Sequence, residues 1–282
     1  MTHGDVIKHL LKKEDTFVNK KVRLVLIIVF SIIFVFSACS IINYFSESYA
    51  NQKRFDELAE IVNINTENHV SSNGNANTES SDDKTQVSVN DVASTPNFSK
   101  LAAQNSDIVG WISINGTKIN YPVMQTKNEP NFYLNHNFDK KSSKYGCIYS
   151  QANCDVFEPS DNVIIYGHNM KDGSMFGDLL KFKNKSFWKS HKTISFNTLI
   201  SSNTYEIIAV FKTTGSGDGS FRYINFVNAD DKNEFDAYIN KCKELSLYDT
   251  GVTAQYGDKL ITLSTCEYSQ KNGRLVVVAK RK

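Results

Sequence analysis

The sequence predicts a mainly β fold: an eight-stranded barrel with short peripheral helices, preceded by a transmembrane helix and a disordered stalk. Three observations lead there. Short β-rich runs recur near residues 109–114, 118–124, 146–150, 162–167, 193–197, 204–213, 258–265 and 274–280. Their turn-rich spacing suits a closed, mostly antiparallel sheet better than alternating βαβ units. Ahead of them stand one uncharged apolar run and a long polar stretch with little to bury. At 282 residues the chain exceeds one typical domain, yet the patterning is dense only from residue 98 onward, which leaves one globular domain, 98–282, and an N-terminal attachment.

The attachment divides into three parts. Residues 1–23 carry Lys8, Lys12, Lys13, Lys20, Lys21 and Arg23. Leu24 to Ile42 follows without a charge, nineteen residues long, enough for a slightly short membrane helix within an anchor drawn over 24–45. Beyond it, through Ala50, only Glu47 is charged, so residues 1–23 are expected in the cytoplasm and the domain outside a single-pass cell membrane anchor. A cleaved signal peptide would have a shorter apolar core and a small-residue site. A lipidation site ending in Cys39 is nearly formed by FSAC, 36–39, but Phe36 stands at an aliphatic position and the apolar run continues past the cysteine. The extracellular linker, 46–97, begins with a weak apolar stripe of Phe55, Leu58, Ile61 and Val62, either a frayed helix or one that packs on the domain, with the first preferred, and ends in a Ser, Asn, Asp, Thr and Glu stretch, Ser71 to Asn97, read as a disordered stalk.

Within the domain one stretch has helical rather than strand spacing. In DDKNEFDAYINKCKELSLYDTG, 230–251, Phe235, Ile239, Cys242 and Leu245 recur at intervals of three and four, with Asn228 or Asp230 as N-cap. GSGDGS, 215–220, lacks the GK[ST] ending of a phosphate loop and reads as a hairpin or loop tip. The net charge of +2 leaves no footprint for nucleic acid.

Chemistry concentrates at strand ends. Cys266 closes the run ITLSTC, Arg274 opens LVVVA, and His168 follows Val163 to Tyr166 in NVIIYGH. A thiolate is a nucleophile, an imidazole takes and returns a proton, and a guanidinium stays cationic while holding an oxyanion. Of the other histidines in the domain, His191 follows the basic, aromatic patch FKNKSFWKS, and His136 in LNHNF lacks the strand-then-GlyHis context. Five cysteines show no CxxC pair and no zinc-like spacing, so no metal or cofactor is expected. A bridge between Cys147 and Cys154 is open in an oxidising exterior.

Together these segments resemble the sortases, the cysteine transpeptidases of Gram-positive cell surfaces. TLSTC matches the family signature, and the Gly167-His168 pair and Arg274, eight positions after Cys266, fall where the family has them. VGWISINGTKINYPVMQ (109–125), FYLNHNFDKKSSKYGCIYS (132–150) and GSMFGDLLKF (173–182) are similar to its opening hairpin, its next segment and the helical turn after the histidine. The stretch 230–251 resembles the long helix that marks class B, which is expected to wall one side of the groove.

The resemblance implies a sortase-type barrel and a thioacyl mechanism. Cys266 attacks a threonine carbonyl in the C-terminal sorting motif of a secreted protein, Arg274 holds the oxyanion, and His168 protonates the departing amine. A peptidoglycan amine then resolves the intermediate. Ser264 and Thr265 are implied to line the groove, and Glu267 to sit behind the nucleophile. The catalytic domain is expected to be a monomer. A surface cysteine protease and an inactive anchored binding module are the alternative classes.

Overall fold

The computed structural model describes residues 3–71, 98–215 and 220–282, with side chains described at 20, 22–62, 98–215 and 220–282. It contains two compact units, Met1–Gln52 and Lys53–Lys282. Helix α1 (His3–Ser71) carries an apolar stretch long enough to cross a membrane, and the large apolar side chains from Val22 to Phe45, in the first unit, are exposed. Of the stalk expected over 71–97, residues 72–97 lie outside the described residues, as does the tip of the 215–220 loop, and Ser71 ends helix α1.

In the second unit the stripe read as a frayed helix is packed. Phe55, Leu58 and Val62 are buried, and the Phe55 ring meets Tyr121 edge-on at 5.0 Å. Arg54 seals the rim, donating to the Asp139 carboxylate at 2.7 Å and to Gln104 at 2.9 Å. A stripe of four apolar residues looks weak alone. Each buried side chain is nevertheless worth about 1.5–3 kcal/mol once a complementary surface receives it, and that surface comes from distant residues such as Tyr121.

The eight expected strands form, with shifted ends: β1 Ile108–Ser113, β2 Asn120–Met124, β3 Ile148–Ser150, β4 Asn162–Tyr166, β5 Thr193–Thr198, β6 Ser202–Thr214, β7 Leu260–Cys266 and β8 Gly273–Arg281. They close in the order β1-β2-β3-β4-β7-β8-β6-β5. β2/β3 and β4/β7 pair in parallel, and the remaining six pairs are antiparallel. Burial explains the composition of the central strands. β4, β7 and β8 are covered on both faces, so they read as continuous apolar runs rather than as an alternation.

Short helices α2 (Ser99–Gln104) and α3 (Lys185–Ser190) and helix α4 (Lys232–Leu245) complete the unit. α4 buries Phe235, Tyr238, Ile239 and Cys242. Its cap corrects the expectation. Asp231 is the N-cap, accepting from the Glu234 backbone N–H at 2.9 Å, while the Asp230 N–H donates to the Glu234 carboxylate at 2.8 Å. The Asp-x-x-Glu spacing is a near capping box. Asn228 is engaged elsewhere, accepting from the Asp161 N–H at the start of β4.

Candidate active site

Strand direction alone gathers the chemistry. β4 and β7 run parallel, with Tyr166 opposite Ser264, so both C-terminal ends emerge on one rim. The ladder continues past the strand end: the Gly167 N–H donates to the Ser264 carbonyl at 3.2 Å, which brings His168 level with Cys266. β8 returns antiparallel, and Cys266 and Arg274 are direct cross-strand partners. Backbone register therefore brings the three predicted catalytic residues to one rim.

Two glycines permit the approach. A Cβ at Gly167 would stand 2.4 Å from the Ile148 Cδ1 and 2.7 Å from the Phe176 ring, and one at Gly273 would stand 2.2 Å from the Glu267 carbonyl oxygen. The β7–β8 turn closes where the Glu267 N–H donates to the Gly273 carbonyl at 2.9 Å, with Asn272 at a φ of 54°, a conformation Asn tolerates better than most residues.

His168 is half-buried, and its Nε2 lies 2.8 Å from the Leu134 carbonyl. A carbonyl only accepts, so Nε2 carries the proton and Nδ1 is left with the lone pair in the neutral ring. The other two histidines of the domain share a different job. His136 Nδ1 bonds the Phe132 carbonyl and its ring stacks on Phe132, and His191 repeats this on Phe187. Both secure the end of a short helical turn.

Cys266 is a half-buried free thiol, and among the described residues it makes no side-chain hydrogen bond. The other cysteines of the domain, Cys147, Cys154 and Cys242, are also free but buried. Burial pushes the Cys154 thiol up to about 11 and Cys242 up to about 12, and drives Cys147 higher still. Those thiols stay protonated and inert. Cys147 and Cys154 remain separate, so no bridge joins them.

The Arg274 Nη1 donates to the Gly273 carbonyl at 3.0 Å, and the guanidinium lies over Gly215. Burial pushes the neighbouring Tyr149 up to about 12 despite the opposing pull of Arg274, so its hydroxyl stays neutral. Beside Arg274 opens a cavity of about 130 Å3, lined by Tyr166, Phe221, Arg222, Tyr223 and Ile224 among others. No residue of α4 lines it. The helix braces it from behind, since the Tyr238 ring sits 5.7 Å from Phe221 and stacks on Phe226 at 3.9 Å.

The residues expected around the substrate are all committed internally. The Ser264 hydroxyl pairs with the Tyr223 hydroxyl at 2.6 Å, and both are buried. The Thr265 hydroxyl donates to the Gly167 carbonyl at 2.8 Å, locking the strand end that carries His168. Glu267 is buried, accepting from Lys183 at 3.1 Å and from the Ser269 N–H and hydroxyl. Sequence reasoning missed Asn169, whose side-chain amide donates to the Cys266 carbonyl at 3.0 Å, and Tyr223. Asn169 was findable as the residue after Gly167-His168. Tyr223 gave no periodic signal. Among the described residues no His, Cys, Asp or Glu group is placed to hold a metal ion.

A family model described as the sortase domain matches residues 112–282. The chain belongs to the sortase family. It is 39% identical over 183 residues to sortase B of Listeria monocytogenes, covering 64% of this chain and 72% of the relative, and 34% identical over 189 residues to sortase B of Staphylococcus aureus, covering 66% and 74%. A sortase B–substrate complex from S. aureus superposes with a TM-score of 0.69 at 26% identity, covering 84% of this chain and 98% of that one. Sortase B of Bacillus anthracis in complex with AAEK1 superposes with a TM-score of 0.64 at 31% identity, covering 84% and 98%. The barrel is thus a sortase barrel of the B type, and its activity is that of a cysteine transpeptidase.

Proposed function

We propose that Cys266, His168 and Arg274 carry out transpeptidation on C-terminal sorting motifs of secreted proteins. The observation that supports this reading is the double register at one rim, parallel from β4 to β7 and antiparallel from β7 to β8. The Cys266 thiolate attacks the threonine carbonyl carbon, forming a C–S bond and a tetrahedral oxyanion. Arg274 and a nearby backbone N–H hold that charge. As the C–N bond breaks, His168 protonates the departing amine, leaving a thioacyl enzyme. A peptidoglycan amine then attacks the same carbon and gives its proton to His168. The new C–N bond forms, and the C–S bond breaks to release the cysteine.

Ser264, Thr265 and Glu267 act in this scheme by positioning, because each side chain already has an internal partner. The preferred motif is of the class B kind, NPxTN or [SNP]PxTG, over LPxTG. The apolar stretch of α1 serves as a single-pass membrane anchor, with the Lys- and Arg-rich residues 1–23 inside and a monomeric catalytic domain outside. Mass spectrometry of the chain mixed with motif peptides tests the chemistry: a thioacyl adduct is expected, converted to a ligated product on adding an amine. Hydrolysis that no amine diverts would make the chain a protease, and no adduct at all would make it a binding module.

A further inference from the structure

The reaction uses one guanidinium, and the cavity beside the rim has two. Arg274 and Arg222 both line it, and among the described residues no acidic one does. Their settings differ. Arg274 is half-buried and tied by Nη1 to the Gly273 and Asn272 carbonyls. Arg222 is exposed, at the N-cap of the turn Tyr223–Asn225; its carbonyl accepts from the Asn225 N–H at 3.0 Å, while its guanidinium makes no hydrogen bond or ion pair among the described residues. The tyrosines nearby supply no negative charge: burial raises the pKa of Tyr149, Tyr166 and Tyr223 alike. The ordinary alternative is a solvated surface arginine. Against it stands its place beside another cation on a partly aromatic wall, a positive field that attracts an anion. The planar fork of a guanidinium matches a carboxylate through two parallel hydrogen bonds.

We infer that Arg222 is a specificity-determining residue that receives a carboxylate from one of the two peptidic substrates while Arg274 attends the reacting carbonyl. This rests on the transpeptidase reading above. The carboxylate comes either from an Asp or Glu side chain in the donor peptide or from the acceptor, next to its attacking amine. The two sources separate because thioacyl formation involves only the donor, whereas ligation involves both.

The test uses the full-length chain in detergent micelles. Donor peptides carry Glu, Gln or Lys at the variable position of the motif or directly after it, and acceptors are glycine and glycinamide. Wild type is expected to favour Glu over Gln in thioacyl formation, or glycine over glycinamide in ligation, by about fivefold at low salt, with the preference shrinking as salt rises. Arg222→Ala should erase whichever preference is found, and Arg222→Glu should reverse it toward Lys or glycinamide. Equal use of charged and neutral partners by wild type in both arms overturns the assignment, as does a preference that survives in Arg222→Ala. The Gln peptide reports on the chemistry itself: failure to form its adduct would sink the transpeptidase reading, whereas a normal adduct with no charge preference sinks only the role of Arg222.

Discussion

Cys266 and Arg274 face each other because β7 and β8 pair through their backbones, whereas Phe221 and Tyr223 keep their places through rings and hydroxyls packed on α4 and β7. The rim is therefore set by register, which is all-or-none, since a slip of one residue turns every side chain to the other face. The wall is set by side-chain packing, which tolerates graded change. Reaction chemistry is expected to reside in the rim and peptide preference in the wall, and each perturbation below bears on that division.

The largest effect is expected from Cys266→Ala, which removes the nucleophile itself. Turnover and adduct formation should vanish while the melting temperature barely moves, because the side chain is half-buried and leaves little cavity. His168→Ala should behave alike. Normal turnover in Cys266→Ala would place the chemistry elsewhere. Next comes Arg274→Lys, which keeps the charge and loses the planar fork. Loss of an oxyanion donor lowers kcat by roughly 10² to 10³, and such a fall at constant stability would tie Arg274 to the reacting carbonyl.

Gly167→Ala probes whether register alone places His168. The added Cβ meets Ile148 and the Phe176 ring at 2.4 and 2.7 Å, so either those side chains or the strand end must shift. Overpacking of this kind costs about 1–3 kcal/mol. A lower melting temperature together with slower acylation is expected, and a variant with unchanged acylation would show that the histidine tolerates displacement. Tyr223→Phe works on the wall instead, deleting the hydroxyl bonded to Ser264. About 1 kcal/mol of stability should be lost, and kcat/KM for peptides should fall a few-fold. Alkylation of Cys266 by a thiol reagent should stay at the wild-type rate. A large change there would mean that rim and wall are not separable.

The same division decides what could be read from the residues. All eight strands, the helix at 232–245 and the three rim residues were visible, because apolar runs and strand-end polar residues are local patterns. The parallel pairing of β4 with β7 was not, since nearly a hundred residues separate His168 from Cys266. Nor was the docking of Phe55, Leu58 and Val62, whose value depends on a surface built by distant segments. Ser264 and Thr265 were noticed for their place in the signature, but their hydroxyls are turned to internal partners that only the folded chain supplies. Arg222 carried no signal: an isolated arginine in a loop gains meaning only from the cavity it lines.

The smallest effect concerns the turn that closes the rim. The Ser269 hydroxyl and Lys183 hold the Glu267 carboxyl below the usual carboxylate range, against the opposing influence of burial. A depressed folded-state pKa contributes stability that is present above the unfolded value of about 4.3 and is lost as pH falls through the folded value. Glu267→Gln does not titrate. The wild type should therefore melt higher than this variant near pH 7, and the gap should close as pH drops below about 4. Acylation by the variant should change little at neutral pH, because Glu267 steadies the turn without touching the thiol. A gap that persists unchanged at low pH would show that the carboxylate's charge does not stabilise the rim, leaving the backbone closure from Glu267 to Gly273 to hold it alone.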